Sequence, residues 1–230
     1  MIWGIFAVCA AGVWFVLASK NQATKQIQNT GQPQVRVIKS LLNKPTILIV
    51  LGISVCVFLF NHALNNWLPE ILKSHGMDAT EAGYWAAIPT IIGIAGSLLI
   101  PRLATPERRF HILIGLAAAA LLASFMLRAE VGNLLMIGLL LQGLAKSSLM
   151  TVLILTLVEL PEIGERYAGI ASGIFFSTAE LGGVLGPLLL GVLYSPNTGF
   201  SNGLWLLTCV ALAMTVGTFI LLRLKATQPN

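Results

Sequence analysis

Seven apolar runs, each close to twenty residues long, are separated by short breaks rich in charge, glycine, proline and asparagine. They lie at about 2–19, 46–69, 82–101, 110–127, 133–158, 168–194 and 203–223. A hydrocarbon core about 30 Å thick takes about 20 apolar residues of helix to cross. Inside it the backbone must satisfy its own hydrogen bonds, so such runs are helices. They fill almost all of the 230 residues and leave no room for a sizeable soluble domain. Only 10% of the residues are charged, against about 25% in an ordinary soluble domain. The chain reads as all-α, a polytopic membrane helical bundle.

A secretory signal is the other reading of residues 1–19. No basic residue precedes that run, and no small-x-small cleavage site precedes "SKNQ". Trp3, Trp14 and Phe15 near its ends suit a span with interfacial aromatics.

Lysine and arginine alternate between the breaks. The first holds Lys20, Lys25, Arg36, Lys39 and Lys44 without an acid; the third holds Arg102, Arg108 and Arg109; the fifth holds Arg166. Arg223 and Lys225 follow the last run, and the intervening breaks carry only Lys73 and Arg128. The positive-inside rule makes the basic breaks cytoplasmic and the N-terminus outward-facing. The expected organisation is a spanning helix at 1–19, a cytoplasmic loop at 20–45, a six-helix bundle at 46–225 and a tail at 226–230. The formal net charge of +5 is spread over short loops, so orientation explains it and nucleic acid binding does not. An odd number of spans with an outward N-terminus fits a chain that begins partway through a larger one.

The fifth run contains "LLLQGLAKSSLMTVLIL", with Lys146 about 12 residues, or about 18 Å, from either end. A lysine stem cannot snorkel that far. A charge at a helix centre costs about 2.5–3.5 kcal/mol on insertion scales, so it faces protein or water. Gln142 lies one turn earlier on the same face. The sixth run places Glu180 at similar depth, and the second carries "NHALNNWLPEIL". There Asn61 and Asn65 share a face by i,i+4 spacing, with His62 on the adjacent one.

Two readings of Lys146 and Glu180 stand side by side: a buried structural ion pair, or a solute-recognising cation beside a proton-carrying carboxylate. His62 is as compatible with an interhelical hydrogen bond as with a proton site. Gly169 with Gly173, and Gly182 with Gly186, have the spacing that lets helix backbones approach closely. Pro187 removes a backbone hydrogen bond from the same helix.

Cys9, Cys56 and Cys209 each sit alone inside an apolar run, without metal-ligand or redox spacing. His62, His75 and His111 are dispersed, and neither H-E-x-x-H nor G-x-S-x-G occurs, so neither an enzyme nor a metal site is indicated. No GxxxxGK[ST] loop occurs, so no nucleotide or other cofactor is implied.

From the second run onward the chain resembles the C-terminal half of a major facilitator superfamily transporter, and the first run resembles the last helix of the N-terminal half. "SLLIPRLATPERR" looks like a degenerate copy of the family's loop motif. Arg102, Arg108 and Arg109 match its basic positions, while Ser97 and Pro101 replace its glycine and aspartate. "LPEIGERYAGIASGIFFSTAELGGVLGPLLLGVL" resembles the loop and eleventh helix of many members, and "NHALNNWLPEIL" is similar to cyanate and nitroimidazole-type permeases. In that fold the first and fourth helices of each half line a central cavity. The resemblance therefore implies that Asn61, His62, Asn65, Gln142 and Lys146 line a solute pathway and that Glu180 couples protons or pairs with Lys146. It implies a secondary active transporter, or the C-terminal part of one, in a bacterial plasma membrane, moving a small solute by alternating access with an anion favoured. Its partners would be lipid and the N-terminal half. The competing expectation is a non-transporting half-protein, inert or acting as a membrane interaction subunit.

Overall fold

The computed structural model describes residue 4 and residues 8–15, 34–161 and 163–226. Parts of the expected helix at 1–19, more than half of the loop expected at 20–45, Glu162 and residues 227–230 lie outside them; of the tail expected at 226–230 only Ala226 is described, and it ends a helix. Two compact units divide the chain, Met1–Val37 and Ile38–Asn230. In the first, residues 8–15 form helix α1, with Val8, Val13, Trp14 and Phe15 exposed.

A short helix, α2 (Gln34–Leu42), occupies the end of the stretch read from sequence as a loop. Lys39 in its last turn complements the negative end of the helix dipole. Six long helices follow: α3 (Pro45–Ser74), α4 (Ala79–Leu103), α5 (Arg109–Met126), α6 (Asn133–Val158), α7 (Gly164–Leu193) and α8 (Ser201–Ala226). Each contains a segment long and apolar enough to cross a membrane. Their positions follow the apolar runs because the breaks carry the termination chemistry. Pro45 opens α3, where its missing N–H costs nothing. Asp78 caps α4 by accepting from the Glu81 amide at 2.8 Å. Gly76 takes φ +93° in the turn between those two helices. No strand forms among the described residues, where the nearest thing is one bridge between Ser195 and Gly199.

Helix α3 is the centre of the bundle and packs on α4, α6, α7 and α8. Val50, Phe60, Leu64, Ile71 and Leu72 on it are almost wholly buried. On its α7 side the backbones touch. A Cβ added to Gly182 would overlap the Val55 carbonyl and lie 3.0 Å from the Leu59 amide; one on Gly186 would overlap the Leu59 carbonyl and lie 3.1 Å from the Ala63 amide. Without lateral hydrophobic drive in lipid, such close packing is what binds spanning helices. Gly169 and Gly173, with the same spacing, meet nothing within 4 Å. The close approach expected for that pair is not made among the described residues, because the first half of α7 turns this face away from its neighbours.

Large apolar side chains remain exposed along α4 (Ile91, Ile94, Leu98) and α7 (Val184, Leu188, Val192). On a spanning helix such faces suit lipid or another protein surface.

Candidate functional site

Polar groups of α3 and α6 meet around residue 146. The Asn61 side chain, buried, donates from Nδ2 to the Lys146 carbonyl at 3.0 Å. One turn further along α3, the Asn65 side-chain oxygen accepts a hydrogen bond from the Lys146 ammonium. The i,i+4 spacing of the two asparagines thus lets α3 grip both the backbone and the side chain of one residue. Helix–helix packing at α4 and α6 holds that residue's helix in place: a Cβ on Gly143 would lie 2.7 Å from the Pro89 Cα, and one on Gly93 would run into the Ser147 hydroxyl.

Lys146 is half-buried and Asn65 exposed, so the ammonium sits at the edge of the packed core. Its partner is neutral. Among the described residues no carboxylate lies within the 4.0 Å of an ion pair, Glu180 included. The pair expected between Lys146 and Glu180 is not formed in this structure. Asn65, one turn beyond Asn61 on the α3 face packed against α6, reaches the ammonium instead.

Glu180 instead shares space with His62. Its Oε2 lies 2.9 Å, and the imidazole Nδ1 3.6 Å, from where a Cβ on Gly183 would stand. Glycine at 183 therefore leaves room for both groups. His62 is half-buried, stacked on Phe58 with ring centres 5.5 Å apart, while Glu180 is exposed. Phe58 in turn meets the edge of Phe176 on α7. Gln142 is only 1% exposed and its Oε1 has no hydrogen-bond partner, so it is enclosed rather than on an open surface. Pro187 offers its carbonyl to the Trp67 indole N–H at 2.9 Å, joining α7 to α3 near one end.

The loop arginines separate. Arg102 and Arg108 are exposed, whereas Arg109 is buried and donates to Glu159 Oε2 at 2.5 Å. Sequence reasoning has no local signal that ties Glu159 to an arginine fifty positions earlier. It also passed over Arg128, counted only as a loop charge. That guanidinium lies over Trp205 and donates to Thr208. No group of three or more metal-ligating side chains occurs among the described residues.

The family model described as Major Facilitator Superfamily matches residues 1–129. An uncharacterized transporter, YycB, of Bacillus subtilis is 24% identical over 216 residues, covering 93% of this chain and 52% of its own length. A putative tartrate transporter of Agrobacterium vitis is 28% identical over 178 residues, 70% of this chain and 36% of its own. A quinolone resistance transporter of Acinetobacter baumannii is 32% identical over 166 residues, 69% of this chain and 37% of its own. The chain thus spans about half, or less, of the length of these relatives.

Proposed function

The chain belongs to the Major Facilitator Superfamily, and from that premise we propose that it is the C-terminal part of a secondary active transporter that moves a small anionic solute by alternating access. It is an integral, multi-pass membrane protein. The observation that carries the proposal is the state of Lys146. Its ammonium lies mid-helix, held by the neutral Asn65, with no carboxylate within 4.0 Å among the described residues. A cation at that depth is expensive to keep, and a solute carboxylate or similar group would supply the missing negative charge. The relatives named as putative tartrate transporters favour the same chemistry, since tartrate is a dicarboxylate.

In this reading Asn61 and Asn65 orient Lys146, and Glu180 beside His62 carries the coupling proton. Glu180 is an exposed carboxylate on a spanning helix, so its face requires water or protein rather than acyl chains. The N-terminal half of a transporter is the covering partner proposed for that face and for the apolar stripes of α4 and α7, in a bacterial plasma membrane.

The test is binding per folded molecule in the full-length transporter, beginning with labelled tartrate. Lys146→Gln removes a charge-assisted contact worth about 1.5–3 kcal/mol, so affinity should fall by about 10- to 100-fold with abundance little changed. Lys146→Arg should also bind poorly, because a planar fork replaces a compact point charge. Unchanged affinity in Lys146→Gln would end the proposal.

A further inference from the structure

At one end of the bundle the termini of α3 and α5, with the chain entering α8, border a cavity of about 330 Å³. Its polar lining is Ser74, His75, Arg128, Thr198 and Ser201. Arg128 is the key group. One terminal nitrogen donates to the Ser124 carbonyl at 2.5 Å, the other to Thr208 Oγ1 at 2.8 Å, and the guanidinium carbon lies 4.4 Å from the Trp205 ring centre. These contacts fix the guanidinium plane, yet each terminal nitrogen carries two N–H groups and has used one. Both of these hydrogen-bond partners are neutral, and no carboxylate among the described residues comes within 4.0 Å. Burial pushes its pKa down from the usual arginine value, but an arginine remains charged in proteins. The cation is therefore half-buried, held in orientation and, among the described residues, without a carboxylate at ion-pair distance.

The rest of the lining suits an anion. The hydroxyls of Thr198 and Ser201 have no side-chain hydrogen bond among the described residues. Ser201 begins α8, so the positive dipole end of that helix borders the same space. His75 Nδ1 lies 2.7 Å from the Ile71 carbonyl. A carbonyl only accepts, so Nδ1 carries the proton and, in the neutral ring, Nε2 accepts, which suits a hydroxyl carried by the bound group. Donors from two chain segments, Arg128 after α5 and Thr198 with Ser201 before α8, and an acceptor from a third, His75, fit a tetrahedral group with several oxygens and a hydroxyl better than a lone planar carboxylate.

We propose that this cavity binds a phosphate-type oxyanion, at a site separate from the Lys146–Asn65 contact. The site lies where spanning helices end, so a phospholipid headgroup and a soluble phosphate would present the same chemistry there. The proposal does not rest on the transport reading.

The experiment is thermal unfolding of the full purified chain in a neutral detergent. One arm titrates inorganic phosphate against chloride at constant ionic strength. The other adds phosphatidylglycerol or an uncharged glycolipid to the micelles. Stabilisation by phosphate identifies a soluble anion, and stabilisation by phosphatidylglycerol alone identifies a headgroup; either supports the site. Thr198→Glu sets a carboxylate beside the guanidinium, so it should abolish the response while keeping or raising the basal midpoint. Arg128→Lys retains charge but loses the fork, and should raise the half-saturating concentration by about tenfold or more. Absence of any response in the native chain overturns the proposal, as does a full response surviving in both variants.

Discussion

Replacing Glu159 by alanine should destabilise the protein far more than its half-exposed position suggests. The Arg109 side chain is 6% exposed and Glu159 43%. Arg109 Nε is already buried without a partner. Each charge also sits at the wrong end of its own helix, the cation at the start of α5 and the anion just past α6, where the dipoles oppose them. Their mutual contact offsets both penalties. Stranding one member of a fully buried pair costs about 3–5 kcal/mol, and an exposed pair is worth about 0–1 kcal/mol. With the arginine buried and the acid half in water, Glu159→Ala should cost about 2–3 kcal/mol. At about 2–4 °C per kcal/mol for a chain of this size, the unfolding midpoint falls by roughly 4–12 °C. Arg109→Met removes the buried charge itself and leaves a carboxylate that water can solvate, so its loss should be near 1 kcal/mol. The double variant should therefore be more stable than the two losses added, by about 1–2 kcal/mol. Tryptophan fluorescence during heating in detergent reads all four proteins. Losses that add to within about 0.5 kcal/mol would refute the coupling.

Two further outcomes follow from packing and charge distribution. Gly182→Ala forces the α3 and α7 backbones apart and should cost about 1–3 kcal/mol, whereas Gly173→Ala, with open space around it, should be neutral or stabilising by up to about 1 kcal/mol through helix propensity. Equal midpoints for the two would contradict the packing described. Cysteines introduced at the exposed Thr105 and Asn197 of a cysteine-free chain should react with impermeant reagents from opposite sides of the membrane. Labelling from one side alone would overturn the span order between them.

The amino-acid sequence by itself determined where the six long helices run. Hydrocarbon thickness and obligatory backbone hydrogen bonding act on each segment separately, so apolar length and the polar breaks suffice. The asparagine face of α3 was legible for the same reason, since i,i+4 spacing is a property of one helix. Only the tertiary structure decided what those faces meet. Lys146 finds Asn65 and not Glu180, because the rotation and axial register of α3 against α6 set the ammonium's neighbours, and neither is encoded within one helix. Two identical glycine spacings on α7 fare differently because one crosses α3 and the other crosses nothing described. Arg109 and Glu159, fifty positions apart, become partners only where the ends of α5 and α6 come together. A membrane span is fixed by its solvent, which the sequence meets residue by residue. A contact between spans is fixed by geometry that exists only once the bundle has closed.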